Sequence, residues 1–205
     1  FSPDGTLFVT DNQYDVRGSR PVFGTGDLLW QVDEGKWYGW PERWGRLALH
    51  EHDSLSPPGD PNVARLIDPY PGEAVEPVVH LGVHSASTGL DFSRSDTFGH
   101  RGEMFIAQFG DMAPGVGKVM GPVGFKVVRL SPEEKLIHDF AVNRGDVNGP
   151  ASRLGSGGFE RPVAVRFDPS GDALYVVDFG VMTTSERGPQ PRPGTGVLWR
   201  ITRRR

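Results

Sequence analysis

The 205-residue sequence predicts an all-β chain, a β-propeller of four-stranded antiparallel blades, on three observations. Glycine (28) and proline (18) together exceed a fifth of the residues, about twice their usual share, and both interrupt helices. Short β-branched and aromatic runs alternate with polar residues. A turn of the form F-x-P-x-G, or FSPDG at its first appearance, precedes such runs at 1–5 and 167–171, with a longer counterpart at 92–102. A sandwich of unrelated strands is the competing architecture, and it leaves that recurrence unexplained.

The first unit runs from its turn into a strand at 6–10, closes on Asp11-Asn12, and continues with strands at 27–32 and near 76–81. The second unit has an inner strand at 87–92, then strands at 103–108, 124–130 and 135–142, with Gly110-Asp111 closing its second strand. The third has strands at 162–167, 173–177 and 196–202, with Asp178-Phe179-Gly180 in the equivalent place. Lettered A to D within a unit, the strands make the middle unit complete. The first unit lacks A and the third lacks D. The blades occupy roughly 1–82, 83–143 and 159–205 of one partial domain. Propellers close with about 4–8 blades, so three incomplete ones imply more blades before Phe1. The N-terminal region would then supply the third unit's missing outer strand. Phe1 opens a turn already in progress, as expected of a piece of a longer chain.

The formal net charge is −4, against the basic excess of nucleic-acid binders. The one basic run, Arg203-Arg204-Arg205, reads as a solvated tail. No stretch approaches the roughly 20 apolar residues of a membrane span. Cysteine is absent, which excludes disulfides, zinc thiolates and cysteine catalysis, and suits an oxidising compartment.

Strand A is innermost in a blade and B runs back against it. Residues before each A and after each B therefore converge on one mouth of the central channel. Those residues are His84-Ser85-Ala86 and Glu160-Arg161 before A strands. After B strands come Asp11-Asn12-Gln13-Tyr14, Gln108-Phe109-Gly110-Asp111 and Asp178-Phe179. An imidazole, a guanidinium and several carboxylates around one opening make a polar ligand site. Each also has a plain structural reading. An aspartate after a strand caps its own turn, Arg161 pairs with Glu160 or Asp178, and His84 is a satisfied loop histidine.

Other motifs are thinner. His50-Glu51-His52 offers metal-ligand types in the long loop 42–75, without a fourth ligand nearby. His80 and His84 are too far apart in extended chain to share a metal. Gly115 and Gly117 precede no helix, so they form no dinucleotide fingerprint. The aromatic turn Trp37-Tyr38-Gly39-Trp40-Pro41 reads as a plug between blades or as a wall, with Trp40 at its tip, for a flat ligand or a sugar.

FSPDGTLFVTDN, GDLLWQV and the Tyr38-Gly39-Trp40-Pro41 turn resemble the glucose/sorbosone dehydrogenase family, quinoprotein sugar dehydrogenases on a six-bladed propeller. The likeness continues through HSASTGLDF at 84–92, FERPVAVRFDPSGDALYVVDFG at 159–180 and GVLWRIT at 196–202. It covers nearly the whole chain and looks closest to the sorbosone-dehydrogenase-like branch, whose domains often accompany cytochrome c modules. The resemblance implies pyrroloquinoline quinone (PQQ) and Ca²⁺ as cofactors, an aldose or related sugar as substrate, a cytochrome c as possible electron acceptor, and a periplasmic or extracellular location. It sets Arg161 at a PQQ-contacting arginine. It sets Gln13 and Tyr14 where two successive carbonyls face calcium, with Asp11 beside them. His84, Asp111, Asp178 and Trp40 complete the expected cofactor surroundings.

Four positions depart from the family pattern. The family's base histidine would lie upstream of Phe1. The PQQ lysine expected after the middle B strand is replaced by Gln108-Phe109-Gly110-Asp111, with Lys118 several residues late. Val163 stands where a second arginine is expected, and the carbonyl pair is Gln-Tyr instead of Gly-Pro. Two other functions are therefore carried forward. One is a propeller that binds a partner or glycan without redox chemistry. The other is a calcium-dependent lactonase, which needs Asp11, Asp111 and Asp178 on one ion.

Overall fold

The chain folds as an all-β partial propeller. A computed structural model describes residues 1–12, 14, 21–51, 65–112, 121–185 and 187–203. The first sheet orders β1 (Leu7–Asp11), β2 (Gly26–Val32) and β5 (Val79–Val83) side by side, all antiparallel. Between β2 and β5 the chain makes a small hairpin of β3 (Arg43–Trp44) and β4 (Leu47–Ala48), then a 3₁₀ turn at Leu49–Glu51. The second sheet is a four-stranded meander of β6 (Ser87–Phe92), β7 (Met104–Gln108), β8 (Lys126–Leu130) and β9 (Ile137–Ala141). One helical turn, α1 (Ala151–Leu154), leads to the third sheet, β10 (Pro162–Phe167), β11 (Ala173–Asp178) and β14 (Val197–Thr202). A hairpin of β12 (Met182–Ser185) and β13 (Gly188–Pro191) is inserted between β11 and β14. The expected strand set is present, with the first unit's last strand a few residues later than its sequence suggests. The two hairpins and α1 are additions. Among the described residues no helix is long and apolar enough to cross a membrane.

The repeated turn has one hydrogen-bonding pattern in all three units. The N–H groups of Ser2, Ser93 and Asp168 donate to the carbonyls of Thr6, Glu103 and Ala173 at 2.9, 3.0 and 2.9 Å. Gly5, Gly102 and Gly171 donate back to Ser2, Ser93 and Asp168 at 3.0, 2.9 and 2.9 Å. All three glycines have left-handed φ, between 77° and 90°, where a Cβ is unfavourable. The longer middle turn therefore closes by the same contacts as the short ones.

Alternation along β7 explains how the sheets stack. All five of its residues are buried. Met104 and Ile106 pack with Phe8, Leu29 and Leu81 of the first sheet. Phe105 and Ala107 pack with Val165, Leu174 and Val176 of the third. Successive side chains on a strand point to opposite faces, so one strand serves two seams. On the far side of the first sheet, Tyr38 lies edge-on to Trp30 at 5.2 Å, and Trp44 donates its indole N–H to the Gly26 carbonyl at 2.9 Å. The 33–51 excursion thus climbs that face towards the end where β1 finishes.

Neighbouring sheets are stitched by side chains. The Thr10 hydroxyl donates to the Thr88 carbonyl, and the Thr88 hydroxyl donates to the Val163 carbonyl at 2.8 Å. Arg166 donates to the Leu90 carbonyl at 2.7 Å, and the Phe167 N–H donates to Asp91 at 2.9 Å. Gly89 permits this approach: a Cβ there would lie 2.7 Å from the Ala164 Cα and 3.0 Å from the Val163 carbonyl oxygen. Both obstacles are main chain, so Gly89→Ala must push β6 from β10. A loss of about 1–3 kcal/mol in denaturant unfolding is expected. Unchanged stability would mean that the inner strands are not in fixed contact.

Candidate functional site

β6 and β10 begin at the end where β1, β7 and β11 finish, so the segments before and after them meet there. Phe109 and Phe179 donate their N–H groups to the carbonyls of Ala86 and Arg161 at 3.0 and 2.9 Å, a repeated closure in units two and three. Each is followed by a left-handed glycine, Gly110 or Gly180. The two phenylalanine rings meet edge-on at 5.8 Å. Phe-Gly after the B strands of units two and three is a repeat readable in the sequence beside the polar residues.

Asp178 organises the third unit's side of the mouth. Its carboxylate accepts the N–H groups of Glu160 and Arg161, both at 2.8 Å, that of Gly180 at 3.0 Å, and the Trp199 indole at 3.3 Å. Asp11 likewise accepts the Trp30 indole at 3.1 Å. The aspartates close equivalent strands, and each tryptophan lies two residues beyond the aspartate's cross-strand partner, Leu28 or Val197, and is itself paired with Val9 or Val176. In unit two both partners differ together: Gln108 replaces the aspartate and Val128 the tryptophan. Gln108 instead donates to the Leu81 carbonyl at 3.1 Å and to the Ser87 hydroxyl at 3.2 Å. Ser87 adjoins the buried Asp27 carboxylate, which accepts the Ser85 hydroxyl at 2.8 Å and the Ser87 N–H at 2.6 Å.

Arg161 joins units two and three. Only 4% of it is exposed. Its Nη1 donates to the carbonyls of Phe109, Gly110 and Asp111 at 3.4, 3.1 and 3.0 Å. The guanidinium lies between two rings, 4.8 Å from Phe109 and 5.0 Å from Phe125. Burial pulls its pKa below the ordinary arginine value, against the opposing attraction of Asp111, Glu160 and Asp178. It remains a cation. Its Nε is buried and has no hydrogen-bond partner. Asp111 turns one carboxylate oxygen to the Val123 N–H at 2.7 Å. Arg161, Asp111, Phe125, Arg153 and Thr183 are among the residues around a cleft of about 320 Å³.

His84 adjoins this arrangement through its neighbour: the Gly110 N–H donates to the Ser85 carbonyl at 2.9 Å. His84 and Ala86 both have φ above 50°, uncommon for residues with a Cβ. Strain of that kind collects at functional sites. His84 Nε2 is buried without a partner. Tyr14 lies under Trp40, and its carbonyl accepts the Thr25 hydroxyl at 3.2 Å. Gln13, His52, Gly115, Gly117, Lys118, Arg204 and Arg205 lie outside the described residues.

One end of the sheets therefore gathers His84, Arg161, Asp111 and Asp178, with Asp11 ending β1 and Tyr14 following it at that end. The three aspartates hold different partners, and no group of three His, Cys, Asp or Glu suited to a metal occurs among the described residues. His80 packs edge-on against Trp44 at 4.9 Å, apart from the His84 turn. His50 lies 3.7 Å from Glu51. Phe125 and Asp27 carry no signal in the sequence that marks them as contributors. The acceptors of Arg161 are main-chain carbonyls, which carry no side-chain signature. Arg161→Lys keeps the charge but loses the planar fork, and should cost about 1.5–3 kcal/mol. Thermal unfolding and hydrogen exchange at 109–111 test this; unaltered protection would refute the clamp.

No family model matches the chain, and no curated protein does. Two solved structures share its fold: a calcium structure and an iodide structure of Trichoderma reesei Carbohydrate-Active Enzymes Family AA12. Each gives a TM-score of 0.51 at 17% identity over 85% of this chain. The matched region is 46% and 47% of those chains, so this one spans about half their length. The likeness is one of fold.

Proposed function

We propose that this chain is the C-terminal part of a quinoprotein sugar or sorbosone dehydrogenase-like propeller, oxidising an aldose or related sugar with PQQ and Ca²⁺. The observation that carries the reading is a pair of buried, unpartnered nitrogens at the mouth, Arg161 Nε and His84 Nε2. Buried polar atoms without partners are costly unless a ligand satisfies them. They fit the carboxylates of a flat polyacid such as PQQ. The sequence resemblance supports the same class, as does the fold shared with a carbohydrate-active enzyme, one of whose structures is a calcium structure.

Arg161 would hold a carboxylate through Nε while Nη1 keeps the 109–111 loop in place. His84 Nε2 would supply a second contact, fixed by its left-handed turn. Phe109 and Phe179 would wall the mouth and exclude water, and Asp178 would hold Arg161 in position. The resemblance would give calcium the main-chain oxygens of Gln13 and Tyr14, of which the Tyr14 carbonyl already accepts the Thr25 hydroxyl, with Asp11 ending β1 beside them. When bound, the quinone and its ion supply a hydride acceptor with polarised carbonyls. A proton-abstracting histidine elsewhere in the protein would complete the chemistry, and a cytochrome c in the periplasm or outside the cell would take the electrons. Titration of the full-length protein with PQQ and Ca²⁺, following dye-linked aldose oxidation, should give saturable turnover. Absence of both binding and turnover with every aldose ends this reading.

A second reading, a propeller that binds a glycan or partner without redox chemistry, is favoured by one observation. Arg161 Nη1 already serves three carbonyls. That reading predicts ligand affinity indifferent to PQQ. The lactonase reading is withdrawn, because Asp11, Asp111 and Asp178 form no common metal group among the described residues.

A further inference from the structure

An aromatic ledge stands on Tyr14, which follows β1 at the end where that strand finishes. Trp40 is 61% exposed but rigidly held. Its ring stacks on buried Tyr14 at 5.1 Å and 18°, leaving the other face to solvent. Gly39 before it has φ +97°, and a Cβ there would lie 2.9 Å from that of Arg43. The N–H groups of residues 42 and 43 both donate to the Gly39 carbonyl at 2.8 Å. The Trp37 indole donates to the Trp40 carbonyl at 2.9 Å, and Trp37 stacks on Tyr70 at 5.2 Å. Arg65 lies 4.5 Å from the Tyr70 ring and pairs with Asp68 at 2.8 Å. The Tyr70 hydroxyl is buried without a partner.

The result is an open indole face fixed in orientation, backed by a second aromatic pair whose Tyr70 ring is covered by the guanidinium groups of Arg43 and Arg65, at 5.0 and 4.5 Å. Such a surface complements pyranose rings, which present an apolar C–H face and a polar hydroxyl rim. One open indole face falls far short of the roughly 800 Å² that each partner buries in a stable protein interface. We propose that the ledge binds the outer rings of a saccharide chain, so that the ligand is an oligosaccharide with one end at the mouth. This rests on the proposed function only for the sugar ring at the mouth; contact with the ledge requires no cofactor.

The test is calorimetric and fluorescence titration of the full-length protein with glucose, xylose, cellotetraose, maltotetraose and xylotetraose, with and without PQQ and Ca²⁺. At least one tetrasaccharide should bind about tenfold or more tightly than its own monosaccharide and change tryptophan emission. Trp40→Ala should bring that ratio close to one, while Trp40→Phe, which keeps a stacking face, should retain most of it. Near-ultraviolet circular dichroism shows whether each variant is folded. The proposal is overturned if no tetrasaccharide outbinds its monosaccharide, or if folded Trp40→Ala keeps the preference. A Trp40-dependent preference without any turnover supports the ledge and removes the redox reading. Turnover without a length preference does the reverse.

Discussion

Phe105→Ala should destabilise the chain by about 3–5 kcal/mol, the range for removing a buried phenylalanine. Phe105 is fully buried on the β7 face that meets the third sheet. Its ring packs edge-on against Phe140 at 4.7 Å, Phe167 at 5.3 Å and Phe98 at 5.8 Å. These rings come from two sheets and the turn between β6 and β7, so the cavity opens in the seam. The surrounding strands are hydrogen-bonded and cannot collapse into it. Equilibrium unfolding in urea measures the loss. A cost below about 1 kcal/mol would show that the sheets do not depend on this packing.

Asp178→Ala should be comparably severe, about 3–5 kcal/mol, because several donors are left without an acceptor, each at a cost of about 1–3 kcal/mol where it stays buried. Four donors lose their acceptor together, three of them main-chain N–H groups. Asp178→Asn keeps one carbonyl oxygen and should cost less. The Trp199 indole N–H resonance should move in both variants, which a remote effect would not produce. Wild-type stability in Asp178→Ala would contradict the assigned role. It would also return Asp178 to the pool of groups available to a ligand.

The strands were legible because each is bracketed by turn residues with a mechanical requirement. Gly5, Gly102 and Gly171 occupy the same left-handed position, and the β-branched runs after them have little alternative to extended structure. The hairpin β12–β13 was not legible: Pro189 and Pro191 lie in its second strand, and proline argues against a strand except at an edge. β3 and β4 are too short to show a period. At the site, the meeting of His84, Arg161, Asp111 and Asp178 followed from strand direction alone. Their partners did not. Charge suggested Glu160 or Asp178 for the Arg161 side chain, but carbonyls of the neighbouring unit take it, and Asp178 binds the Arg161 main chain instead. The turn-capping alternative for aspartate is what Asp178 does, enlarged by an indole on the facing strand.

The guanidinium of Arg161 belongs to one sheet, and its three carbonyl acceptors belong to the next. The shape offered to a ligand is thus only as stiff as the joint between two blades. Substitutions deep in that joint, at Gly89 or Phe105, can retune selectivity from positions no ligand reaches. Anything that tightens the joint also narrows the range of shapes the opening accepts.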